Sequence, residues 1–259
     1  MPEGDTIHRA AAALRRAIDH GPLLSLEAPG VGGPRPAAGE AIDAIEARGK
    51  HLLIGFGGGV TLHTHLGMTG SWRVRARNGG RQTRPGTWVE VATARATAVC
   101  RSAPTVELLD HDALRRHPIL STLGPDLCLP DPDLDEVVRR VRGLLDLSTA
   151  IGVVILDQRP ASGIGNVYRS EVLWACGVAP STPLHAIDDP TLRELYATAN
   201  RQLRMNLREW RRRTYGDGVA VYDRAGRPCP RCGTSIASRK LGEQARTTWW
   251  CPACQTSAA

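Results

Sequence analysis

The spacing of apolar residues divides the chain into segments of different period. Between Thr6 and Ile18 the residues Ala11, Leu14, Ala17 and Ile18 return to one face at helical spacing, and Gly21-Pro22 ends the run. From Leu23 to about Leu109 the apolar runs become short or alternating: Ala41–Ala47, Leu52–Phe56, Val60–His65, Ser71–Val74, Trp88–Val91 and Thr97–Cys100. Turn sequences such as Gly57-Gly58-Gly59 and Asn78-Gly79-Gly80 separate them. Many short strands with frequent turns predict an antiparallel sandwich or barrel. His117 to Pro132 holds four prolines and reads as a linker. Beyond it, Leu134–Leu145 and Thr191–Arg212 have helical spacing, and Gly163-Ile164-Gly165 interrupts an otherwise helical Ile151–Gly177. Thr214–Gly226 is a turn-rich connector, and Cys229–Cys254 is a small cysteine module. The expected architecture is α+β and multidomain. It comprises an amino-terminal helix with an antiparallel β-sandwich (residues 1–117), a helical domain (118–225) and a four-cysteine β-hairpin (226–259).

Charge narrows the class of partner. The chain has 259 residues, enough for two or three small hydrophobic cores, and a formal net charge of +7. From Arg193 to Arg246 there are 13 basic and five acidic residues, a surplus larger than that of the whole chain. Clustered positive charge points to a polyanion, most simply a phosphate backbone. All the basic residues except Lys50 and Lys240 are arginine, which suits bidentate phosphate contacts. No run of 18 apolar residues exists, and the first residues are polar, so neither a membrane span nor a secretory leader is expected. A cytoplasmic protein is expected.

Seven cysteines are present, four of them as Cys229-x-x-Cys232 and Cys251-x-x-Cys254 with 18 residues between the pairs. Two such knuckles close a tetrahedral four-sulfur site on a β-hairpin, and zinc is the metal that this donor set favours. Four protein ligands leave no open position, so one structural Zn2+ without a catalytic role is expected. Cys100, Cys128 and Cys176 are single and stand in apolar surroundings, which suits core packing.

Met1-Pro2-Glu3 carries a second chemical possibility. Loss of Met1 would leave Pro2 as a free secondary amine, able to attack an electrophilic carbon beside a carboxyl that manages a proton. The plainer reading is a helix start with an acidic first turn.

Four segments together resemble the Fpg/Nei family of DNA glycosylases. They are Met1-Pro2-Glu3-Gly4-Asp5-Thr6, His65-Leu66-Gly67-Met68-Thr69-Gly70, Gly163-Ile164-Gly165-Asn166-Val167-Tyr168-Arg169-Ser170-Glu171, and Gln244–Pro252 with Arg246 five residues before Cys251. The third resembles the family's helix–two-turns–helix motif, and the order of all four agrees along the chain. The resemblance implies a bacterial base-excision enzyme, likewise cytoplasmic and nucleoid-associated, that works as a monomer on damaged double-stranded DNA. In such enzymes a flipped nucleotide is attacked at C1′ by the amino-terminal proline, and the strand is then cut by β,δ-elimination. It implies Pro2 as nucleophile, Glu3 as acid, and Lys50 as phosphate contact and proton donor for elimination. Lys50 is also the rival amine. Arg246 and Asn166 would hold phosphate, Glu171 would orient the terminal amine, and Met68 would fill the void left by the flipped base.

Taken without the family, each of these residues has an ordinary reading. Lys50 is a solvated strand lysine, Met68 a core residue, Glu171 a helix-surface acid, and the glycine–asparagine segment a plain turn. The chain also departs from the family's pattern. Thr6 stands where many relatives carry a second glutamate, and of three void-filling residues only Met68 can be assigned. Pro2-Glu3-Gly4-Asp5-Thr6 resembles the Nei (endonuclease VIII) branch, and the connector after Arg213 is short. Oxidised pyrimidines are therefore favoured over 8-oxoguanine. A damage-binding protein without activity, or a zinc-ribbon RNA-binding protein, are the alternatives.

Overall fold

The structure, a computed structural model, describes residues 1–76, 87–209 and 211–256. The expected turn at Asn78-Gly79-Gly80 lies outside them. Two compact units are present, Met1–Thr122 and Leu123–Ala259.

In the first unit α1 (Gly4–Ile18) begins two residues before the apolar periodicity does. Glu3 is its N-cap, with an extended φ of −130°, and the Glu3 carbonyl accepts from the backbone N–H groups of Thr6 and Ile7. The strands are β1 (Leu23–Glu27), β2 (Ile42–Arg48), β3 (His51–Phe56), β4 (Thr61–His65), β5 (Ser71–Ala76), β6 (Thr87–Thr93), β7 (Ala96–Arg101) and β8 (Thr105–Leu109). They form two antiparallel four-stranded sheets, ordered β1-β6-β7-β5 and β2-β3-β4-β8. Alternation sends one face of each sheet inward. Leu52, Ile54 and Leu62 of one sheet join Val89, Val91 and Ala98 of the other in a single core. Ile7, Ala11, Leu14 and Ile18 of α1 complete it, and each is at most 1% exposed. Truncating Leu14 to alanine in such a site costs about 2–5 kcal/mol. A short helix, α2 (His111–Arg115), follows β8.

The second unit is mainly helical. Asp133 and Asp188 cap α3 (Leu134–Leu144) and α6 (Asp189–Met205), each accepting a backbone N–H with its side chain. The one-turn α4 (Ile151–Val154) and α5 (Asn166–Ala175) lie between them in sequence. The expected helix to Arg212 stops at Met205 because Asn206 breaks it. Its fully buried side chain donates to the carbonyls of Gln202 and Arg213 and accepts the Arg213 N–H. The proline-rich stretch after His117 is more than a linker, since Leu127 and Cys128 are buried in the helical core. Cys100 is buried and Cys176 packs against the helical core, as their apolar surroundings suggest.

The chain ends in a hairpin, β9 (Ala237–Leu241) paired antiparallel with β10 (Arg246–Trp250). A small third cluster holds it, in which Trp174 of α5 meets Ala220, Val221, Cys229, Ile236 and Cys251. Among the described residues no helix is long and apolar enough to cross a membrane.

Candidate active site and cysteine ribbon

Pro2 is half-buried in the extended segment before α1, Met1 is 41% exposed, and Glu3 is fully buried at the helix start. The start of α1 therefore holds a buried carboxyl next to Pro2. The plain acidic first turn belongs to Asp5, whose carboxylate meets Arg9 at 3.0 Å.

Lys50 is not on a strand. It occupies the two-residue turn Gly49-Lys50 that closes the β2–β3 hairpin between paired Arg48 and His51, with Gly49 at φ +58°. A tight turn presents its side chain with less freedom than a flexible loop would. Met68 lies in the turn after β4 and is 75% exposed, which removes the core reading.

The same end of the sheet carries a feature that the sequence reading passed over. His51 Nδ1 lies 2.9 Å from His63 Nε2, His63 Nδ1 lies 2.7 Å from Glu107 Oε2, and His117 Nε2 lies 3.0 Å from that same oxygen. Burial first, then the neighbouring imidazoles and Lys50, lower the His51 pKa to about 3. Burial likewise lowers His63 and His65. At Glu107 burial acts upward, but the hydrogen bonds from His63 and His117 prevail and lower its pKa. The visible signal was Leu62-His63-Thr64-His65: strand alternation sends both histidines to the face opposite the core.

In the second unit the glycine-flanked turn leads into α5. Gly163 has φ +113°, a conformation that demands glycine, whereas a Cβ there would meet only ordinary contacts. Gly165, at φ −122°, makes no such demand. Asn166 opens α5. Its amide donates to the Thr247 carbonyl at 3.0 Å and its oxygen accepts from Arg169. Arg169 is fully buried and also donates to the carbonyls of Gly152, at 3.2 Å, and Thr247, at 2.8 Å. Arg169, which no sequence signal singles out, thus joins α5 to the ribbon strand.

Glu171 is fully buried, which rules out the surface-acid reading. Its Oε2 accepts from the Thr214 hydroxyl and the Ala220 N–H, and its Oε1 from the N–H groups of Val221 and Tyr222 at 2.9 and 2.8 Å. The carboxylate thus pins the connector between the helical core and the cysteines.

Arg246 is exposed at the first position of β10, just past the hairpin turn, and Arg239 and Lys240 are exposed on β9. The four cysteine sulfurs lie within 4.8 Å of one another. Three of their separations are 3.9, 3.5 and 3.3 Å, against about 3.8 Å for the edge of a tetrahedron with the usual zinc–sulfur bond. The Arg231 N–H points at Cys229 Sγ from 3.4 Å, the amide-to-sulfur contact that stabilises a thiolate. The donor set therefore fits a metal that prefers four sulfurs.

Comparison with known proteins gives the family of the chain. The family model for the formamidopyrimidine-DNA glycosylase N-terminal domain matches residues 1–115, and that for the H2TH domain of the same enzymes matches residues 123–213. A probable endonuclease 8 2 of Streptomyces coelicolor is 38% identical over 270 residues, covering 100% of this chain and 95% of the relative. The DNA-(apurinic or apyrimidinic site) lyase Nei2 of Mycolicibacterium smegmatis is 35% identical, covering 99% of this chain and 100% of the relative. Among solved structures, a Lactococcus lactis formamidopyrimidine-DNA glycosylase bound to DNA containing an abasic site has the same fold. Its TM-score is 0.82 at 23% identity, covering 98% of this chain and 100% of that one. The chain belongs to the Fpg/Nei family, with named relatives on its endonuclease 8 side.

Proposed function

We propose that this protein is a base-excision DNA glycosylase and abasic-site lyase acting on oxidised bases, pyrimidines before 8-oxoguanine. The observation that carries this is a family match along the whole chain in a protein whose imino acid directly precedes a buried acid at a helix start. Its partner is damaged duplex DNA, met as a monomer in the bacterial cytoplasm at the nucleoid.

The chemistry follows from the groups. With Met1 removed, the Pro2 nitrogen is a secondary amine with a pKa near 8, so a useful fraction is unprotonated at neutral pH. It attacks C1′ of a flipped nucleotide and gives up its own proton, the bond to the base breaks, and the C1′–O4′ bond then opens; Glu3 supplies the proton that helps the base or the ring oxygen leave. The product is an iminium with no N–H to lose. Its fixed positive charge acidifies the C2′ proton. Loss of that proton breaks the C3′–O bond, and Lys50 gives a proton to the departing phosphate. Arg246 stabilises phosphate charge at the second cleavage, since a guanidinium rarely releases a proton. Asn166 and the first N–H groups of α5 offer donors to a phosphate at a helix start. Met68, exposed on its turn, is the side chain to occupy the space a flipped base vacates. Glu171 holds the connector, and orienting the terminal amine is the role that the family resemblance gives it.

The division into residues 1–117, 118–225 and 226–259 gives these tasks to a catalytic part, a DNA-holding part and a ribbon. Cys229, Cys232, Cys251 and Cys254 would hold one zinc, which supplies a structural cross-link and no catalysis. The preference for pyrimidines rests on the connector, which is short and pinned by Glu171, leaving little chain to fold over a purine.

A panel of duplexes, each with one defined lesion, tests the reading. Release of oxidised pyrimidine followed by strand cutting is expected. Tight lesion binding with no base release would establish the non-catalytic alternative.

A further inference from the structure

The outward face of the β2-β3-β4-β8 sheet carries polar residues that are nevertheless buried: His51 is 6% exposed and His63 1%. His51 stands opposite His65, and His63 opposite Glu107, in strand register. The hydrogen bonds among them have a direction that can be worked out from one end. His117 Nδ1 lies 3.2 and 3.1 Å from the backbone nitrogens of Ile119 and Leu120, whose N–H groups can only donate. Nδ1 therefore carries the lone pair and Nε2 the proton, which goes to Glu107 Oε2. The carboxylate takes a second hydrogen from His63 Nδ1. His63 Nε2 is then bare and accepts from His51 Nδ1–H. His51 is left with a lone pair on Nε2, on the side of the ring away from His63. Burial, which lowers the pKa of both His63 and His51, keeps these two rings neutral.

This assignment disfavours a metal at the same place. His63, Glu107 and His117 offer ligand atoms close enough to share an ion. Ligation through His117 Nε2 would require that nitrogen to be unprotonated, and the two backbone donors on Nδ1 oppose it.

We propose that His51 is a positioning residue for Lys50, its Nε2 accepting one N–H of the ammonium so that the others face the DNA phosphate. Three observations support this. Lys50 immediately precedes His51 in the tight turn that closes the β2–β3 hairpin. The Lys50 charge reaches both His51 and His65. Burial first, and then the charges of His63, His65, His117 and Lys50, disfavour protonation of His51, so the acceptor stays neutral beside the ammonium. The inference rests on Lys50 being the elimination donor.

The test uses two substitutions that split the histidine's two nitrogens. His51→Asn keeps a donor near the Nδ1 position and removes the Nε2 acceptor; His51→Gln keeps an acceptor near Nε2 and gives up the bond to His63. The readouts are cleavage of a duplex containing a preformed abasic site at saturating DNA, borohydride trapping of the amine adduct, thermal stability and zinc content. For His51→Asn, cleavage slowed by about tenfold or more is expected, with trapping and KM unchanged. His51→Gln should cleave within about threefold of the parent. A full cleavage rate in His51→Asn overturns the proposal, and so do equal losses in both variants accompanied by loss of thermal stability. A second zinc per chain that disappears in His117→Ala overturns it too. Lys50→Met separates the levels. If it cleaves at full rate the Lys50 reading fails; if it is inactive beside a fully active His51→Asn, only the positioning fails.

Discussion

Glu171 shows how one side chain sets the local energetics. Four donors converge on a carboxylate with no exposed surface, and three of them are backbone N–H groups of the connector. Glu171→Gln would turn an amide N–H2 toward those donors. Urea denaturation should show a loss on the order of 3 kcal/mol, since hydrogen bonds to charged groups are strong and stranded buried donors are costly. An unchanged midpoint would mean that the connector is held by other contacts. The glutamate itself was legible in the Gly-x-Gly-Asn segment. Its partners were not, because they lie 43 to 51 residues further on and are mostly backbone. The histidines give a second prediction. His51, His63 and His65 have lowered pKa values in the fold, so the unfolded chain binds more protons below about 6.5. Their contribution is fully present above that pH and is lost as pH falls toward about 3. Melting temperature should therefore drop through this window, and His51→Asn should flatten the drop. A profile identical to the parent's would refute the burial argument.

At the scale of elements, the ribbon ties function to a minimal core. Its hairpin is held by six buried residues, Trp174 and two cysteines among them, and so small a cluster is one that the proposed metal would cross-link. Chelation, or Cys251→Ser, should abolish protection of the β9–β10 amides from hydrogen exchange and weaken DNA binding, while α1 and the sandwich strands stay protected. Full protection in a metal-free preparation would contradict the structural-zinc assignment. The spacing of its cysteines makes this element legible in the sequence. Two sandwich strands were not readable. In β1 only Leu23 is buried and the rest of the strand is half or fully exposed, so no alternation betrays it. In β8 only Leu108 is buried, with Thr105, Val106 and Glu107 half-exposed. The end of α6 was missed for another reason: the apolar spacing continues past Met205, but a buried asparagine takes the backbone bonds that the helix would need.

For the molecule as a whole, the charge surplus lies late in the chain: the basic stretch from Arg193 to Arg246 begins near the end of the H2TH match, residues 123–213, and continues into the ribbon. The reactive group proposed for it sits at the opposite end of the sequence, on Pro2. That separation is why no local motif could announce the activity, and why the order of four distant segments did. The central claim is that an amino-terminal imine forms on DNA. The measurement is borohydride trapping on a duplex with an abasic site, comparing protein with Met1 removed against protein with a blocked or extended amino terminus, with the adduct mapped by peptide mass. The account predicts one adduct, on Pro2, in the processed protein, and DNA binding without adduct or cleavage in the blocked one. An adduct on Lys50, or full strand cutting by the blocked protein, would contradict it.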